Sequence, residues 1–175
     1  MSNKLHVYTG PGKGKTTAAM GLALRSLGHG GRVLIACFMK NGESGELKAF
    51  RAFPNVSIHL PPPMEKFTFQ MSPAELRETA QAQTAFARSL IAALNALRPQ
   101  TIILDELCPA LANGLIDEEA ARALLSTALS AGETAVTGRD APDWLVKEAD
   151  YVSRILSVKH PYDTEGLAAR PGVEW

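Results

Sequence analysis

The chain has 175 residues, of which 46% are hydrophobic and 21% charged, as expected of one globular domain (residues 1–175) rather than a disordered chain. Its 18 Lys+Arg match its 18 Asp+Glu, so net charge argues for neither nucleic acid nor a membrane surface as partner. No stretch approaches the ~20 apolar residues of a membrane span, and the first residues, MSNKLHVYTG, lack the apolar core of a signal peptide, so a cytoplasmic location is expected.

Residues 5–9 (LHVYT) are short and β-rich, and the glycine-rich GPGKGK follows them. Residues 16–27 have helical spacing, and Gly28, Gly30 and Gly31 end that helix. The nearly continuous apolar run at 32–40 (RVLIACFMK) predicts a buried strand, residues 44–53 a short helix, and residues 55–60 a third strand. Pro61, Pro62 and Pro63 then forbid regular structure. The capping-box pattern SPAE opens a long helix over 72–97.

A fourth strand, 101–104 (TIIL), ends at Asp105 and Glu106, and residues 105–114 read as a loop. Asp117 caps a helix running through 129, residues 134–137 form a fifth strand, 142–148 a short helix, and 151–158 a sixth strand. The segment 159–175 shows no clear periodicity. Cys37 and Cys108 have no CxxC spacing, which argues against a zinc site and for buried thiols. Alternating strands and helices predict an α/β fold with a mostly parallel sheet of about six strands flanked by helices, ligands binding at the carboxyl ends of the strands.

The sharpest motif is Thr9-Gly10-Pro11-Gly12-Lys13-Gly14-Lys15-Thr16-Thr17, lying after a strand and opening a helix. Glycines let the backbone curl so that amides converge on an oxyanion, and the helix N-terminus adds partial positive charge. Lys15 is suited to neutralise phosphate and the Thr16 hydroxyl to ligate Mg²⁺. The strict P-loop pattern asks for glycine where this chain has Thr9. Asp105 and Glu106, at the end of an apolar strand, stand where a P-loop protein places a Mg²⁺-binding carboxylate, although Asp105 is also a candidate helix cap.

In order and spacing, YTGPGKGKTTAAMGLALRSLGHG, TIILDEL, TGRDAP and KHPYDTEGLAARPGVEW resemble the P-loop family of ATP:corrinoid adenosyltransferases over nearly the whole chain. Thr9 is similar to that family's version of the loop. The resemblance implies a P-loop NTPase-like (RecA-like) sheet. It also implies a reaction in which a Co(I) corrinoid attacks the 5′ carbon of ATP, forming a Co–C bond and releasing triphosphate.

By the same resemblance, Thr9, Gly10, Gly12, Gly14, Lys15, Thr16 and Thr17 hold the triphosphate, Lys13 neutralises it as it leaves, and Thr16 with Asp105 or Glu106 holds Mg²⁺. The nucleotide lies reversed relative to ordinary P-loop ATPases. Phe67 and Phe69, in Lys66-Phe67-Thr68-Phe69, correspond to aromatic side chains that displace the cobalt's lower ligand. Here the family's usual glycine and tryptophan are Lys66 and Phe69, and a place in the ordinary core is the alternative for both phenylalanines.

Arg139 reaches the nucleotide or a corrin amide, or else pairs at the surface with Asp140 or Asp143. His160, Tyr162 and Asp163 are expected to line a nucleobase or corrin pocket, a structural role being the alternative for His160. Glu43 and Glu46 stand near the same edge and read as solvated surface, contact with ribose or Mg²⁺ being the alternative. A homodimer and an electron-donating reductase are further expectations from the resemblance. Longer family members carry an N-terminal helix over the corrin. Here the P-loop starts within ten residues of Met1, so a more open corrin site, or a lid supplied differently, is expected. Two rival readings remain: a kinase or ATPase acting on a γ-phosphate, and a non-catalytic ATP- or corrinoid-binding module. The corrinoid that the resemblance implies is cobalamin, cobinamide or cobyrinic acid a,c-diamide.

Overall fold

A strand whose every side chain is apolar has no face to give to water, and the run VLIAC is buried along its whole length in the middle of a sheet. A computed structural model describes residues 2–39, 44–64, 66 and 68–174. In chain order these form β1 (Leu5–Thr9), α1 (Lys15–Gly28), β2 (Val33–Cys37), α2 (Gly45–Phe50), β3 (Val56–His59), a 3-10 turn (Thr68–Gln70) and α3 (Pro73–Leu97). There follow β4 (Thr101–Asp105), α4 (Leu107–Ala112), α5 (Glu118–Ala131), β5 (Glu133–Thr137), α6 (Asp143–Glu148), β6 (Tyr151–Arg154) and α7 (Pro161–Glu165).

The six strands make one sheet in the order β3-β2-β4-β5-β1-β6, and every pairing is parallel. Alternation along each strand splits the core in two. Leu34, Ala36, Ile102, Leu104 and Val136 face the layer of α3 and α5, while Val33, Ile35, Ile103 and Ala135 face α1. The expected α/β architecture is thus present. Among the described residues no helix is long and apolar enough to cross a membrane.

Three elements differ from the sequence expectation. Residues 107–112, expected as loop, form α4. Pro109 sits in its first turn, where amides have no intrahelical partner and a missing N–H costs nothing. The sixth strand stops at Arg154 instead of 158, and the tail contains α7, capped by the His160 ring and with Pro161 at its first position.

The long helix starts as read. Ser72 Oγ accepts from the Glu75 amide (3.3 Å), and the Ser72 amide donates to the Glu75 carboxylate (2.8 Å). Asp117 likewise accepts from the Ala120 amide at 2.6 Å. Because all strands are parallel, the loops after β1, β2, β3, β4, β5 and β6 emerge along one edge, and the chemistry-bearing residues are found there.

Candidate active site

The turn between β1 and α1 is shaped by two left-handed glycines, Gly10 (φ 104°) and Gly14 (φ 112°), a conformation that side-chain-bearing residues rarely adopt. Gly12 is needed for a different reason: a Cβ there would lie 2.6 Å from the Leu156 carbonyl oxygen. The backbone that follows β6 lies directly on the loop. The Ile155 amide donates to the Thr9 carbonyl (2.8 Å), and the Gly12 amide donates to the Ile155 carbonyl (2.9 Å). Gly12 therefore supplies space and a brace rather than a free donor toward a phosphate. Lys15, only 8% exposed, folds back so that its ammonium donates to the Gly12 carbonyl at 2.7 Å. Burial, and then the nearby charge of Arg139, lowers the Lys15 pKa from the usual 10.5.

Asp105, the last residue of β4, is fully buried. One of its oxygens accepts from two hydroxyls, Thr16 at 2.8 Å and Thr137 at 2.6 Å. Thr137 ends β5, the strand between β4 and β1, so it bridges the gap. Its own oxygen accepts from the Glu106 amide at 3.0 Å. Thr16 and Asp105 present hard oxygens beside Lys15, a donor set that suits Mg²⁺, which keeps waters and shares phosphate ligands. No cluster of three or more His, Cys, Asp or Glu residues able to cage a metal by themselves occurs among the described residues.

Lys15 opens onto a cavity of about 620 Å³, whose lining does not include Thr16, Asp105 or Thr137. Its wall brings together Gly12, Lys13 and Lys15 of the loop with Glu106 and Arg139. His160, Tyr162 and Asp163 of the tail close the other side. Eight residues or neighbours singled out from sequence thus meet around one space. Arg139 is also the wall shared with a second cavity of about 580 Å³, lined by Thr9, Gly10, Asp140 and Asp143. No ion pair joins Arg139 to Asp140 or Asp143 among the described residues. The Thr9 hydroxyl accepts from the Ala141 amide at 3.4 Å, tying the two loops together. The His160 Nδ1 accepts from the Tyr162 amide (3.1 Å), which leaves the proton of a neutral ring on Nε2, a donor.

Other expected residues stand apart. Thr17 is exposed in the first turn of α1 and is not part of the cavity wall. Glu46 is in the first turn of α2, also away from the cavity, and Glu43 lies outside the described residues. Phe69 is 82% exposed on the 3-10 turn, so it is not core, and it does not line the P-loop cavity. Phe67 lies outside the described residues.

Sequence reasoning passed over Thr137, Pro109, Ser157 and Glu174. The Glu174 carboxylate pairs with Arg170 (3.2 Å) and with Lys13 (3.1 Å). The Arg170 guanidinium and amide, and then Lys13, hold it at a pKa of about 2. Only Thr137 left a readable signal, as a hydroxyl closing an apolar strand just before Gly138-Arg139.

The family described as ATP:corrinoid adenosyltransferase BtuR/CobO/CobP matches residues 2–175. The chain is 35% identical over 175 residues to a corrinoid adenosyltransferase of Pseudomonas aeruginosa, covering 98% of this chain and 83% of that one. It is 31% identical to a corrinoid adenosyltransferase of a Sinorhizobium species (97% and 78% covered). It is 30% identical to the corrinoid adenosyltransferase CobA of Salmonella typhimurium (97% and 84% covered).

Proposed function

The chain belongs to the ATP:corrinoid adenosyltransferase family, and from that premise we propose how its own residues carry the adenosyl group of ATP to a reduced corrinoid. The observation that carries the reading is the cavity in which Lys13, Lys15, Arg139 and the tail surround the P-loop at the carboxyl edge of the sheet. Three cationic side chains on one wall suit a triphosphate better than a single phosphoryl group.

Co(I) of the corrinoid supplies the electron pair for the new Co–C5′ bond. The C5′–O bond breaks, and its electrons leave with the triphosphate. The protein need not provide a nucleophile. Its residues position and neutralise. Lys15 and Lys13 bind the triphosphate, with Gly14 and Thr16 at the start of α1 presenting backbone amides and the helix dipole. Thr16 and Asp105, with Glu106 nearby, are the residues to hold Mg²⁺, which would neutralise charge on the departing triphosphate. Arg139, His160 and Tyr162 then flank the nucleoside, whose ribose faces the corrin.

Phe69, exposed on its turn, is the aromatic ring offered to the corrin's lower face, together with Phe67. A ring with no lone pair favours four-coordinate cobalt, which accepts an electron from a reductase more readily. The exposed edge strand β6, with Val152 on it and Leu156 and Val158 open beyond it, supports a homodimer.

The test is to mix the protein with ATP, Mg²⁺ and chemically reduced cobalamin. The expected result is the visible spectrum of a Co–C bond with triphosphate in equal amount. ADP as the phosphate product, or ATP consumption without corrinoid, contradicts the reading.

A further inference from the structure

The segment that follows β6 crosses the phosphate loop as a strap. Its near end is held firmly: Ile155 makes two backbone hydrogen bonds with the loop, at 2.8 and 2.9 Å, and Gly12 lies too close to the Leu156 carbonyl to carry a side chain. Beyond that anchor none of the described residues from 156 to 174 is buried, and only His160 and Glu174 are partly covered. The hydrogen bonds of 157–174 stay inside the segment, in α7 with its His160 cap and in a second turn closed by Arg170 and Glu174. Among the described residues one ion pair joins this segment to the rest of the chain, from Glu174 Oε1 to the Lys13 ammonium at 3.1 Å. Between anchor and hook, Ser157, His160, Tyr162 and Asp163 form a wall of the cavity that Lys13 and Lys15 also line.

The hook is a carboxylate on a lysine assigned above to the triphosphate. Both loop lysines thus rest on acceptors of the chain itself, Lys15 on the Gly12 carbonyl and Lys13 on Glu174. Glu174 also accepts from Arg170 through both oxygens, from its amide at 2.9 Å and from its guanidinium at 3.2 Å. Arg170 first, and then Lys13, hold the carboxyl at a pKa of about 2, so it is an anion at any working pH. Two consequences follow from this arrangement. A polyphosphate approaching Lys13 meets a negative charge, so phosphate and carboxylate compete for one cation. Glu174 keeps Arg170 as a partner when Lys13 leaves, so release loses only a pair whose lysine is 47% exposed, a kind that holds weakly.

We propose that Glu174 is a built-in competitor of the polyphosphate: a triphosphate chain arriving at Lys13 displaces the carboxylate, unhooks the strap 157–174 and opens that wall of the cavity, and the carboxylate returns to Lys13 as triphosphate leaves. This rests on the reading of Lys13 as a triphosphate ligand and adds the device that governs access to the site.

The test measures binding of inorganic tripolyphosphate and of ATP to wild type, Glu174→Gln, Lys13→Ala and the double variant. Loss of one exposed ion pair predicts a tripolyphosphate Kd lowered on the order of 2- to 5-fold in Glu174→Gln at low salt, a similar factor for ATP, and a gain that fades as salt is added. Lys13→Ala should weaken tripolyphosphate binding, and adding Glu174→Gln to it should change nothing further. Hydrogen exchange over 164–174 reads the strap itself. Tripolyphosphate should speed it in wild type toward the rate that Glu174→Gln shows without ligand.

An unchanged Kd in Glu174→Gln overturns the proposal, and so does a raised one, which makes Glu174 a residue that positions Lys13 for the triphosphate. Slower exchange on tripolyphosphate binding overturns it too, because the strap then closes on the ligand instead of releasing it. A protein that binds tripolyphosphate but forms no Co–C bond sinks the adenosyl-transfer reading alone, while the Kd comparison still decides on Glu174.

Discussion

Lys15 illustrates how one residue is tuned before any ligand arrives. Burial and the Arg139 charge both work against its ammonium form, so its folded pKa lies below the 10.5 of a free lysine. A depressed lysine pKa means that the folded state releases its proton first. Affinity for the polyanion should then decline, as pH rises, earlier than an ordinary lysine would allow. Titrating ATP binding against pH in wild type and Lys15→Arg checks the sign. Lys15→Ala should lower kcat/KM by about 10²–10³-fold, the usual effect of removing a group aimed at developing charge.

The buried Asp105 depends on its neighbours in another way. Thr137→Val deletes a hydroxyl that donates to Asp105 and accepts from the Glu106 amide. A cost of about 1–3 kcal/mol is expected in urea unfolding. The types of Lys15, Thr16 and Asp105 were legible in the sequence because spacing announces them. The role of Thr137 was not, since it depends on β5 lying between β4 and β1, an order that no local pattern encodes.

At the scale of elements, the phosphate loop is not free-standing. It is clamped to the backbone after β6 through Gly12, and Gly12→Ala would drive a Cβ into the Leu156 carbonyl. The variant should fold around its distant cores yet lose most ATP affinity, measurable by calorimetry. Unchanged affinity would show the clamp to be dispensable. Helix α3 offers a cleaner electrostatic test. Glu75 serves the capping box and pairs with Lys66, and its folded pKa falls from 4.5 to about 2. A carboxylate depressed on folding stabilises the protein above its unfolded pKa, and that contribution is lost as pH falls through the folded value. Glu75→Gln should therefore be less stable than wild type at neutral pH, and the gap should close between pH 4.5 and 2 in thermal unfolding.

The start of α3 was readable from SPAE because capping is local chemistry. The helix α4 was not. Pro109 and a six-residue length look like loop, and only the buried Leu107, Cys108 and Ala110 make it a helix. The short α7 escaped for the same reason, its cap being a histidine ring rather than one of the usual small polar residues.

For the whole molecule, hydrophobic alternation with helical spacing was enough to foresee a parallel sheet, because strands buried on both faces leave few alternatives. It did not foresee that β6 would stop at Arg154 and send its backbone over the loop, and the place of His160 and Tyr162 at the cavity was expected from the motifs of the tail rather than from alternation. Those are long-range placements. The central claim is likewise one of placement: the loop between β1 and α1 grips the triphosphate while the ribose carbon is turned to the corrin. The measurement that tests it most directly is a crystal structure with ATP, Mg²⁺ and cobalamin bound together. The triphosphate should lie against Lys13 and Lys15 with C5′ directed at cobalt above Phe69. A γ-phosphate directed at the corrin, with the ribose buried away from it, would contradict the account.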